Sequence, residues 1–202
     1  MPTPWNKSVK SGGSLTYFND GGSWAGVVDK AAATFNGLGF PVKFTKTKEK
    51  GSANVVIKLS MGPDHVDFSN GSLKTPANFS PDFLLGRTVT SAIIFGNNAP
   101  ELEFAATFLP GKATGTPEQK EVIVVHEMIH ACGLDGGRGD GTFSKDQDHD
   151  SEGILYFTMS PKGKGLVENN APNNNAMPPI RIGGQTMCKI LSIWDPKGCP
   201  KP

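Results

Sequence analysis

The sequence predicts an α+β fold: a twisted mixed β-sheet of about five strands, with a backing helix, a second helix after the strands and a C-terminal helix. Three observations lead there. Short runs rich in β-branched and aromatic residues recur as far as Phe108. Three stretches repeat apolar residues at helical spacing. No internal repeat and no linker divides the 202 residues, so they are expected to form one domain.

The elements follow in order. Ser14 to Phe18 reads as a short strand, ended by Asn19-Asp20-Gly21-Gly22. Ser23 is then expected to cap a helix whose Trp24, Val27, Val28, Ala31 and Phe35 share one face, with a stop near Gly37. Val42 to Thr45 and Ala53 to Leu59 are the next strands, the latter β-branched and central. Residues 61–86 are polar and rich in Gly, Pro and Asn, which predicts an extended loop. Thr88 to Phe95 and Leu102 to Phe108 read as two more strands, joined by a turn at residues 96–100. Thr116-Pro117-Glu118-Gln119 has the form of a capping box with Pro at the first helical position. Val122, Val125, Ile129 and Cys132 then make a buried stripe, and Gly133 supplies the stop. Residues 134–153 and 161–183 read as long loops. Gln185 to Trp194 closes the chain as a helix with Met187, Ile190, Leu191 and Trp194 on one face.

Composition narrows the class. The net charge is +1, from 20 basic and 19 acidic residues, and no Lys/Arg cluster stands out, so no nucleic-acid partner is expected. No apolar run approaches the ~18 residues of a membrane span. The 25 Gly and 16 Pro suit a loop-rich domain of the kind common among secreted enzymes. Met1 to Lys7 holds no apolar signal region. Four settings stay open: an intracellular chain, a leader replaced by the initial Met, delivery by another route, or excision from a larger protein. Cys188 and Cys199, 11 residues apart, could bridge and tie down the tail; Cys132 is then unpaired and reads as a small core residue.

The chemistry concentrates in His126-Glu127-Met128-Ile129-His130, an HExxH arrangement inside a well-bounded helix. Imidazoles four residues apart lie on one helix face, close enough to share one tetrahedral Zn²⁺. Glu127, beside the first imidazole, supplies a general base for activating water. A catalytic zinc needs a third protein ligand and an open position. Two more histidines exist, His65 and His149, and Asp135, Asp148, Asp150 and Glu168 are carboxylate options.

With Gly133 added, the motif resembles the HExxHxxG of the metzincin clan of zinc peptidases. Phe157-Thr158-Met159-Ser160-Pro161 resembles that clan's Met-turn, with Met159 as its methionine. The order of strands and helices is also similar over most of the chain, although only residues 126–161 carry motifs. One departure matters: the clan's third histidine falls here on Gly136, which has no side-chain donor. The resemblance then implies that the glycine-rich stretch after Leu134 is an insertion, and that His149, ten residues before Met159, is the displaced third ligand. Asp135 is the second choice, and Glu168 would imply a gluzincin-like arrangement.

Other groups read more plainly. Asp64, His65 and Asp67 could form a second metal site but are expected to be solvent-facing loop residues. Asp146, Asp148 and Asp150 alternate, yet Ser151 and Phe157 stand where an EF-hand needs Gly and Glu. A solvated acidic loop that backs the histidines fits better. Tyr156 is the only phenol near the motif's methionine and a candidate to steady developing charge.

The expected activity is zinc-dependent endopeptidase chemistry on a protein or peptide substrate. His126, His130 and His149 hold the metal, and Glu127 serves as general base and then general acid. The strand near Leu102 to Phe108 is the expected sheet edge for an extended substrate, with specificity set behind Met159 by residues 160–180. The chain is expected to act as a monomer, secreted or delivered to an extracytoplasmic compartment. An effector toxin matched by an inhibitor or immunity protein is one setting for such a domain. The rival from another class is a non-catalytic zinc-binding module, closed by a fourth ligand such as Cys132.

Overall fold

A computed structural model describes residues 3–94, 99–134, 180, 182, 184–195 and 197–199. They form an α+β fold built on a twisted, mixed five-stranded sheet. The chain opens with a short helix α1 (Lys7–Gly12), then β1 (Ser14–Asp20), α2 (Ala25–Gly37), β2 (Lys43–Thr47) and β3 (Val55–Ser60). A hairpin of β4 (His65–Phe68) and β5 (Gly71–Lys74) follows. Then come β6 (Arg87–Ile93), β7 (Glu101–Pro110), the motif helix α3 (Pro117–Ala131) and the terminal helix α4 (Gly184–Trp194).

The sheet order is β2-β1-β3-β7-β6. β2, β1, β3 and β7 run parallel, and β6 pairs antiparallel with β7. β3 and β7 are mostly apolar, with buried runs Val55 to Ile57 and Phe104 to Pro110, because both faces of the sheet centre are covered. Val55, Ile57, Ala105 and Leu109 join α2, α3 and α4 in the main core. Their alternating neighbours Val56, Ala106 and Phe108 face the opposite way, into a smaller core with Val66. The β4–β5 hairpin closes that second face, with Phe68 and Leu73 packed on it and Phe68 stacked on Phe104.

Three expectations need correction. Residues 61–86 are not one extended loop, because the β4–β5 hairpin lies within them. Val66 and Phe68 alternate with polar neighbours and so gain a buried face. Ser23 does not cap α2: it lies in a 3-10 turn, Gly22–Trp24, and the helix starts at Ala25 without a side-chain cap. Asn19 organises this entry instead. Its Oδ1 accepts from the Gly21 amide (3.0 Å), and its Nδ2 donates to the Ala25 carbonyl (2.9 Å). The Leu102–Phe108 strand is not the sheet edge either. β7 lies between β3 and β6, and among the described residues β6 is the outer strand on that side.

The other strands and helices predicted from the sequence stand where expected among the described residues, α1 adds to them, and the loops expected at 134–153 and 161–183 lie almost wholly outside the described residues. Thr116 Oγ1 accepts from the Gln119 amide, and Gln119 Oε1 accepts from the Thr116 amide, a complete capping box. Helix α3 is buried on every side from Glu121 to Ile129, beyond the single stripe expected, because it packs on α2 as well as on β6 and β7. Cys188 and Cys199 form a disulfide that joins α4 to the tail. No described helix is long and apolar enough to cross a membrane.

Candidate metal centre

The centre is built on the last two turns of α3. His126 and His130 stand one turn apart, and their Nε2 atoms approach to 3.0 Å. Two nitrogens bound at about 2.0–2.1 Å to one tetrahedral zinc lie about 3.3 Å apart, so the observed pair fits that ion. His130 Nδ1 lies 2.7 Å from the Leu134 carbonyl. A carbonyl only accepts, so the proton sits on Nδ1 and the Nε2 lone pair faces His126.

Leu134 is held in place by the way α3 ends. Gly133 adopts a left-handed φ of +106°, and its amide donates to the His130 carbonyl (2.9 Å). Indoles take up the next carbonyls: Trp5 Nε1 donates to Ala131 O (2.7 Å), and Trp194 Nε1 donates to Cys132 O (2.8 Å). The Thr3 amide donates to the Gly133 carbonyl (2.9 Å). The N-terminal segment and α4 thus clamp the turn whose final carbonyl orients His130.

Glu127 is only 3% exposed. Its Oε2 accepts a hydrogen bond from Thr88 Oγ1 on β6 at 2.8 Å. Six residues earlier, the buried Glu121 accepts from Thr34 Oγ1 (2.6 Å) and pairs with Lys30 Nζ (2.7 Å), tying α3 to α2. Cys132 is fully buried within the main core, and burial pushes its thiol pKa well above the usual range. Its sequence reading as a packing residue agrees with that position.

Asp64, His65 and Asp67 do not gather. Asp64 Oδ1 is bound by Lys58 Nζ (2.8 Å) and by the His65 amide (2.8 Å). Burial pushes the Asp64 pKa up, but the Lys58 and backbone hydrogen bonds outweigh it and hold the carboxyl below its ordinary value. His65 and Asp67 are exposed on β4, with Nε2 and Oδ2 3.4 Å apart. Both are solvent-facing as expected, although on a strand rather than a loop.

Among the described residues, no three His, Cys, Asp or Glu side chains assemble into a metal-holding group. His149, Asp135, Glu168, Tyr156, Met159 and the acidic run Asp146, Asp148 and Asp150 lie outside the described residues. The partners of Glu127 on β6 escaped the sequence reading. Thr88 was visible only as a strand residue, because its reach to Glu127 depends on how α3 crosses the sheet.

No protein-family model matches this sequence, and no curated protein matches it.

Proposed function

We propose that the chain is a zinc-dependent endopeptidase of the metzincin kind. The convergence of His126 and His130 carries this reading: their Nε2 atoms are 3.0 Å apart, with His130 Nδ1 committed to Leu134. Glu127, next in sequence to His126 on the same helix, adds a buried carboxylate. The order of sheet, backing helix and motif helix also supports it.

His126 and His130 would hold Zn²⁺ as neutral imidazoles, with His149 as the third ligand. Bound zinc lowers the pKa of a coordinated water to about 7 and stabilises negative charge on the carbonyl oxygen under attack. Glu127 removes the proton from the attacking water and returns it to the leaving amine. The outer strand beside Glu127 is β6, so an extended peptide would pair there through main-chain hydrogen bonds. The substrate in this reading is a protein or peptide. The Cys188–Cys199 disulfide supports action in an oxidising, extracytoplasmic compartment, as for a secreted effector met by an inhibitor or immunity protein.

Casein cleavage tests the reading. Zinc-loaded protein should cleave casein, and Glu127→Gln should lose roughly 100-fold or more of that rate while keeping its zinc. Equal cleavage by wild type and Glu127→Gln would remove the peptidase assignment.

A further inference from the structure

Thr88 and Thr107 stand opposite each other on β6 and β7. Their hydroxyl oxygens are 2.8 Å apart. Thr88 Oγ1 also lies 2.8 Å from Glu127 Oε2 and 3.2 Å from the Glu127 main-chain carbonyl. A hydroxyl has one hydrogen, whereas an ionised carboxylate and a carbonyl only accept. The arrangement is satisfied in one direction: Thr107 donates to Thr88, and Thr88 donates to the carboxylate, where the bond is charge-assisted. Thr107 and Glu127, at the two ends of this chain, are 1% and 3% exposed, so bulk water has little access to either end.

A second wall faces the same carboxylate. A Cβ built on Gly86 would fall 2.5 Å from Glu127 Cγ and 2.9 Å from Oε1. Only a backbone without a side chain passes there. Arg87 Nη1 donates to the Gly86 carbonyl (2.9 Å) and fixes that peptide. Glu127 is therefore held by a hydroxyl from β6 and confined by the chain entering β6.

We infer that Thr88 is a positioning residue for the reaction: its hydroxyl, backed by Thr107, anchors Glu127 Oε2 and so fixes the direction in which Oε1 meets the attacking water. This rests on the peptidase reading above. Proton transfer needs the base within hydrogen-bond reach in one geometry, and a carboxylate free to swing spends most of its time elsewhere. Thr88→Val keeps the side-chain shape and removes the donor. Thr88→Ser keeps the donor and removes a methyl group.

The test is casein hydrolysis by the full zinc-loaded chain across a casein concentration series. Wild type, Thr88→Val, Thr88→Ser and Glu127→Gln are compared, each with its zinc content and melting temperature. Thr88→Val should lose about 10- to 100-fold in kcat with KM within about twofold and zinc unchanged, and Thr88→Ser should recover most of the loss. Thr88→Ala, scored in the same way, replaces the valine variant if that protein does not fold. The inference is overturned if Thr88→Val keeps wild-type kcat, or if Thr88→Ser falls as far as Thr88→Val, while Glu127→Gln is dead. A wild type that does not cleave, or an active Glu127→Gln, defeats the peptidase reading itself and this inference with it.

Discussion

Gly86 shows how closely the candidate base is confined. Any side chain there meets Glu127 within van der Waals distance. Gly86→Ala should therefore displace the carboxylate and lower casein cleavage at least about tenfold, since small misplacements of catalytic groups cost that much. Zinc content of the variant, measured beside its cleavage rate, should stay at the wild-type level. The two histidines and Glu127 were legible in the sequence because a helix turns spacing directly into geometry: four residues is one turn. Gly86 and Thr88 were not. They reach Glu127 across the sheet, and only the register of β6 on β7 and the path of α3 bring them there. Spacing along the chain holds no trace of that contact.

Helix α3 depends on both of its ends. The start was legible in full, since Thr116, Pro117 and Gln119 make the capping box that their order predicts. The finish was legible only at Gly133. The indole donors at its last carbonyls come from Trp5 and Trp194, 126 and 62 residues away. Trp194→Phe keeps most of the packing but strands the Cys132 carbonyl. It should cost about 1–3 kcal/mol, the penalty of a buried acceptor without its donor. Thermal unfolding should show this as a fall in Tm of several degrees. The β4–β5 hairpin was missed although a signal exists. Ser69 and Asn70 form the two-residue loop between the paired Phe68 and Gly71, and Ser, Asn and Gly after the alternating run His65 to Phe68 mark a tight turn. Polar composition across residues 61–86 outweighed it. Helix α1 was missed too, although Asn6 caps it at Val9 N (3.1 Å) and Gly13 ends it at a φ of +58°. Six residues are too few for periodicity to register.

At the scale of the molecule, local signals placed the strands, but the sheet order decided which one is outermost. The run Phe104 to Pro110 in β7 is apolar but for Thr107 and buried throughout, which reflects a strand covered on both faces and marks an interior strand, not an edge. The fold also predicts a pH response at the end of β1. Asp29 accepts from Tyr17 Oη (3.0 Å) and Asn19 Nδ2 (2.9 Å), and pairs with Lys46 Nζ (2.7 Å). Burial raises the Asp29 pKa, but the hydrogen bonds from Lys46, Asn19 and Tyr17 outweigh it and hold the carboxyl below its ordinary value. Such a group adds stability above its unfolded pKa of about 3.9 and loses it as pH falls through the folded value. Asp29→Asn should therefore melt below wild type at pH 7, and the gap should narrow as pH falls below about 4. Equal gaps at pH 7 and pH 3 would exclude an ionised Asp29 as the cause. The most direct measurement on the molecule as a whole is zinc per chain by elemental analysis, on wild type, His130→Ala, His149→Ala and Asp135→Ala after dialysis against trace zinc. One zinc in wild type and in Asp135→Ala, with none in the two histidine variants, is the expected result. A wild type without stoichiometric zinc, or a His130→Ala protein that still holds one, would contradict the metal centre at its root.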